Sequence, residues 1–270
     1  MSYAARLAAS RADRALCLAA VLAWACSPLP PGARGESAAH RAPGADTADA
    51  LPTGATLLER AASQRRRVGP LVATFNARIR RREGWFAAAS LTGVVAVQPP
   101  DRLRVRLFLP AGPTAQDLTV AGDRYRLVLP LEGREETGVT CSPYAAGCDA
   151  GNPGLLLAWL FTHAPSCATH GCTVERHRDA YEVISALTPA ERLVATVSVA
   201  DGDPTMLAEE IQRDGQARIR IAYSDHRLVA GVRTPYHIEF SDAGSGIRIA
   251  LEIATYRQNP GLPAETFRIN

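Results

Sequence analysis

Lysine is absent from this 270-residue chain: all 30 basic residues are arginine, against 27 acidic ones, for a net charge of +3. Alanine, glycine and proline are also abundant, so the arginine reads as the codon bias of a GC-rich genome. A charge this small, with no basic stripe interleaved with aromatics, excludes a nucleic-acid binder. No apolar run reaches the ~20 residues that a membrane-spanning helix needs. No Gly-rich phosphate loop is present. The string nearest to a nucleophile elbow, Gly244-Ser245-Gly246, lies between two strand patterns rather than between a strand and a helix. Glu135-Glu136 and Glu209-Glu210 are paired only in sequence, because neighbours on a strand point to opposite faces. These absences leave no catalytic constellation and no cofactor motif, and they argue against an enzyme.

What is present begins with an export pattern. Arg6, Arg11 and Arg14 precede the apolar run Ala15 to Ala25, and Ser27-Pro28 breaks it. Cys26 ends the run after Ala23-Trp24-Ala25, which approximates the triplet ahead of an acylated lipoprotein cysteine. Ordinary cleavage near Ala39 is the alternative. Residues 1–26 thus read as an export signal of the lipoprotein type. Residues 27–53, rich in Pro, Gly and Ala, read as a flexible tether. The densest basic patch combines Arg65, Arg66 and Arg67 with Arg78, Arg80, Arg81 and Arg82. It is either a solvated helix end and strand face or an attractor of anionic lipid headgroups, at ~1 kcal/mol per residue near a surface.

From residue 54 onward, alternation dominates. Leu103, Val105, Leu107 and Leu109 share one face, with Arg104 and Arg106 on the other, as in a strand with one dry side. Similar runs recur at 72–82, 85–97, 117–120, 125–129, 181–186, 193–200, 206–213, 217–223, 236–240 and 247–253. A last short strand is expected at 265–269. A helix capped by Thr56 precedes them. A second helix, Gly154 to Phe161 after Asn152-Pro153, is apolar all round and must be buried. Residues 132–151 read as a polar loop. The fold class is mainly β (α+β): a strongly curled antiparallel sheet, or incomplete β-barrel, of about eleven strands with an N-terminal helix and a mid-chain lid helix. Residues 54–270 form one domain, expected to act as a monomer. Its interior is either a filled core or a ligand cavity under a helical lid.

Four cysteines lie beyond Cys26, in two close pairs: Cys141 with Cys148, and Cys167 with Cys172. In an exported chain they read as disulfides, of open connectivity. A metal site with His163, His170 and His177 is the sharper alternative, although the spacing fits no compact zinc pattern, and no metal is expected. A cysteine nucleophile lacks an activating context.

The order of elements resembles the LolA/LolB lipoprotein-carrier superfamily. The residues carrying the resemblance are Pro99-Pro100-Asp101-Arg102-Leu103-Arg104-Val105, Gly122-Asp123-Arg124-Tyr125, Gly231-Val232-Arg233-Thr234-Pro235, and Asn259-Pro260-Gly261-Leu262-Pro263 ahead of Phe267. It spans about residues 54 to 270. The resemblance implies an open barrel whose lidded cavity takes up acyl chains of lipids or lipidated proteins. Soluble members carry lipoproteins across the periplasm, and an anchored member receives them at the outer membrane. Relatives bind other lipids or sense envelope stress.

With Cys26 and Ser27 at its start, this chain is expected to face the periplasm from the outer membrane as a lipoprotein. Its expected lipid-binding residues are Leu103, Val105, Leu107, Ile219, Ile221, Tyr223, Ile238, Phe240, Ile249 and Leu251, with Leu156, Trp159 and Leu160 as lid. Two features depart from the family pattern. Ala111, in the turn Pro110-Ala111-Gly112-Pro113, stands where receptor members carry an exposed leucine, and the arginine that latches the carrier's lid has no counterpart.

Overall fold

The computed structural model describes residues 53–67, 69–81, 88–110, 112–140, 153–163, 165–167, 171–199 and 202–269, all within the unit Asp49–Asn270. Thirteen strands form one antiparallel sheet. In chain order they are β1 (Leu71–Arg80), β2 (Ala88–Gln98), β3 (Arg102–Phe108), β4 (Thr114–Ala121), β5 (Arg124–Leu129) and β6 (Arg134–Val139), then β7 (Cys172–His177), β8 (Ala180–Ala186), β9 (Glu191–Ser198), β10 (Thr205–Arg213), β11 (Gln216–Val229), β12 (Val232–Asp242) and β13 (Ile247–Gln258). Helix α1 spans Gly54–Arg67 and helix α2 spans Pro153–Thr162.

Every strand pairs with its sequence neighbour except where β1 pairs with β13, so two meanders meet along one seam. β6 and β7 are the free ends, which makes the sheet an open one. Both ends are blunted by charge, with Arg134, Glu135 and Glu136 on β6 and Glu175, Arg176 and His177 on β7, as edges require. Register shifts at Thr74/Phe75 and Met206/Ala208 strengthen the curl.

The inner face carries the core, where Leu103, Val105, Leu118, Leu127, Val183, Ile221 and Leu251 are fully buried. Both helices pack on this face, α2 over β3 and β4, and α1 against β12 and β7 to β9. Phe161 of α2 meets Phe75 at 5.8 Å between ring centroids. The ring of Phe75 in turn lies over Gly93, where an added Cβ would come within 2.3 Å of it. Glycine at that position allows the close approach.

Three local expectations differ from the structure. The loop expected at 132–151 contains β6, an edge strand with charges on both faces that shows no alternation to read. The short strand expected at 265–269 is instead a 3₁₀ turn, Ala264–Phe267, entered from Pro263 and anchored by the buried Phe267. The cap of α1 is Thr53, not Thr56: the backbone N–H of Thr56 donates to Thr53 Oγ1 at 3.2 Å. Thirteen strands therefore stand where about eleven were expected, the additions being β6 and β7. Residues 1–52, including Cys26, lie outside the described residues, as do Ala111, Cys141 and Cys148.

Candidate functional site

A cavity of about 330 Å³ opens on the inner side, where α1, the end of α2 and the sheet converge. Ala61, Ala62 and Gln64 of α1 form one wall, and Leu160 to His163 another. Pro204 to Met206, Tyr223, His226, the stretch Val232 to Pro235 and Ile238 line it on one side, and Gly69, Leu71, Val97, Pro99 and Pro100 on the other. The volume falls within the range of small-molecule sites, and most of the lining is apolar. Of the expected lipid-binding residues, Leu160, Tyr223 and Ile238 border this cavity. Leu103, Val105, Leu107, Leu156, Ile219, Ile221, Phe240, Ile249 and Leu251 are buried in the core beyond it, and Trp159 is half-buried against them.

Four polar residues of the lining region were not among the expected binding residues. Gln64 follows Leu57 and Ala61 at helical spacing, so it stands on the buried stripe of α1, only 8% exposed. Among the described residues its amide has no hydrogen-bond partner, and it faces the cavity. A glutamine on an apolar helical stripe was the signal that could have found it. Glu209 is 1% exposed on β10. The bulge at Met206/Ala208 sets it inward beside Met206 and Ile211, while Glu210 points outward. A bulge leaves no mark in an alternation pattern, so which of Glu209 and Glu210 faces inward was not legible.

Tyr223 Oη–H donates to Glu209 Oε1 at 2.8 Å. His163 Nε2 lies 3.0 Å from Glu209 Oε2, close but not aligned as a hydrogen bond. His163 follows the last turn of α2 and stacks on Trp159 at 4.3 Å. The group ties the end of the lid helix to β10 and β11 at the cavity wall. His226 Nε2 contacts the Met206 carbonyl at 3.1 Å, which closes the list.

The cysteine and histidine alternative is resolved in part. Cys167 and Cys172 form a disulfide, so neither offers a thiolate. His163 belongs to the Glu209 group, and His177 faces Glu175 and Glu182 on the β7–β8 hairpin. His170 lies outside the described residues.

The outer face of the first meander is a ladder of ion pairs. Arg104 meets Asp117 through two hydrogen bonds of 2.9 and 2.7 Å, and Arg126 meets Glu135 through two of 2.7 and 2.8 Å. These arginines are therefore matched rather than free.

No family model matches the sequence, and no curated protein does. Solved structures do. A LolA superfamily protein from Nitrosomonas europaea superposes with a TM-score of 0.57 at 13% identity, over 81% of this chain and 99% of that chain. A domain described as an outer membrane lipoprotein-sorting protein, from Vibrio parahaemolyticus, gives 0.57 at 12% identity, over 78% and 95%. A DUF1329 family protein from Desulfovibrio piger gives 0.61 at 12% identity, over 80% and 95%. The chain has a LolA-like fold. At such identities the likeness concerns architecture, and function has to be argued from the cavity.

Proposed function

We propose that the protein is an exported envelope lipoprotein that binds acyl chains, of lipids or of lipidated proteins, in the cavity between its helices and its curled sheet. The observation that carries this reading is the apolar cavity of about 330 Å³ on a LolA-like frame. Burial of each methylene contributes ~0.8 kcal/mol, so a run of several methylenes suffices for useful affinity. In this reading residues 1–26 are the signal, Cys26 is the acylated start, residues 27–53 are the tether, and 54–270 is the binding domain. The protein faces the periplasm from the outer membrane and takes part in lipid or lipoprotein transfer. Binding is non-covalent and needs neither cofactor nor catalytic group. No helix among the described residues is long and apolar enough to cross a membrane.

Delivery into a membrane would use an exposed apolar side chain. Leu131, 61% exposed between β5 and β6, is such a residue in the early meander, where Ala111 offers little.

A second reading, an anchored interaction or stress-sensing domain, is favoured by the filling of the interior. Nine of the thirteen expected lining residues are packed core away from the cavity, so long chains enter only if α2 moves. Filling the cavity from α1 separates the readings. Ala62→Phe should fold normally and lose uptake of a fluorescent fatty acid by at least tenfold, since the new ring would occupy the ligand's space. Undiminished uptake by the folded variant would place the ligand elsewhere.

A further inference from the structure

The outer face of the seam between the two meanders carries an arrangement that the cavity does not explain. Arg80 of β1 stands directly opposite Arg248 of β13, Arg248 opposite Ser241 of β12, and Ser241 opposite Arg220 of β11. Arg78 lies one outward position along β1, opposite Ala250. With short side chains at Ala222, Ala250 and Ser241 forming the floor, the arginines wall a hollow of about 400 Å³. The neighbouring residues Ile79, Ile249, Phe240 and Ile221 point the other way, into the core.

Two of the walls are matched by acids. Arg78 pairs with Glu252, and Arg220 lies 3.4 Å from Glu210. Glu239 also borders the hollow, 3.1 Å from His237. Among the described residues, Arg80 and Arg248 have no acidic partner. Like charges directly opposite on adjacent strands destabilise the pairing. Elsewhere on the first meander, among the described residues, Arg104, Arg106 and Arg126 meet acids, and the two outward arginines that do not, Arg102 and Arg124, flank Ala121 instead of standing opposite one another. Here two guanidinium groups face one another over a floor of alanine and serine.

We propose that this hollow is a binding site for a phosphate-bearing anion, with Arg80 and Arg248 as its principal ligands and the Ser241 hydroxyl as a further donor. Guanidinium forks match phosphate oxygens two at a time, and an anion between them turns the repulsion into attraction. The two unmatched guanidinium groups stand at one register position on adjacent strands, which suits a single phosphate group better than an extended acidic peptide. A lipid headgroup at a membrane surface and a free phosphate ester share this chemistry.

The test uses the full-length protein and its Arg80→Gln/Arg248→Gln variant. Both side chains are exposed, and removing like charges should leave the fold intact or firmer. The variant is titrated with inorganic phosphate, read as a shift in melting temperature, and with vesicles of phosphatidylcholine alone or mixed with phosphatidylglycerol. An N-terminal anchor would bind both vesicle types alike, so the difference between them reports the hollow. The wild type should prefer the anionic vesicles and lose the preference in high salt. The variant should bind them on the order of thirtyfold more weakly, from two basic residues near an anionic surface. That result supports the site and assigns a membrane headgroup as its source. Stabilisation by phosphate in the wild type alone, without vesicle preference, supports the site with a free phosphate as its source. Neither response, an equal response in the variant, or tighter binding of polyglutamate than of phosphate would overturn it.

Discussion

At the scale of single residues, the buried group formed by Glu209, His163 and Tyr223 is the most consequential. A carboxyl 1% exposed in an apolar interior is costly unless it is partnered, and here a phenol donates to one oxygen and an imidazole nitrogen lies 3.0 Å from the other. Removing one partner leaves the other stranded. His163→Leu should therefore lower the unfolding free energy by about 3 kcal/mol, as for other broken buried pairs, whereas His163→Leu combined with Glu209→Leu should recover most of that loss. Denaturant melts of the four proteins in the cycle check this. Near additivity of the single changes would mean that the two side chains are not coupled. On the outer face, the Arg126 hydrogen bonds hold the Glu135 carboxyl below its ordinary range. A carboxyl depressed in the folded state contributes stability above the unfolded-state value, lost as pH falls through the folded one. NMR titration should find Glu135 ionised below the usual glutamate midpoint, and Arg126→Ala should move it back up. The stability change itself should be slight, because both groups are solvated.

At the scale of elements, legibility followed physical cause. β3, β12 and β13 were readable because one face is dry and the other wet, so the period of two is written in residues such as Ile247, Ile249 and Leu251 against Arg248 and Glu252. Helix α2 was readable as buried because it has no polar face. β6 was not, because an edge strand with Glu135, Glu136 and Thr137 has no dry face to announce it. The candidate lining was only partly legible: alternation identifies inward residues but cannot say which of them border empty space. Leu107 and Ile249 point inward yet are 1% exposed and tightly packed. A charge placed there should unfold the domain rather than report on uptake. The informative positions are at the cavity. Gln64→Leu should leave the fold intact, or slightly firmer, since it removes a polar group without partners among the described residues. Acyl uptake should persist in that variant, and a complete loss would mean that the amide, not the apolar wall, holds the ligand.

At the scale of the whole molecule, two meanders joined along β1 and β13 give a sheet with two chemically distinct faces. The inner face holds the helices and the apolar cavity. Among the described residues the outer face pairs Arg104, Arg106 and Arg126 with acids on the first meander and leaves Arg80 and Arg248, opposite one another at the seam, without an acidic partner. The free edges at β6 and β7 leave the sheet open, with the helices packed on its inner face. That geometry suits a container that must fill and empty. The central claim is that the container holds acyl chains, and native mass spectrometry of the protein, exported and purified without detergent, tests it most directly. The account predicts added mass that dissociates as phospholipid, fatty acid or another acyl species, and that is absent from Ala62→Phe. A bare mass, together with no uptake of added fatty acid, would contradict it and leave a solid interaction domain on a LolA-like frame.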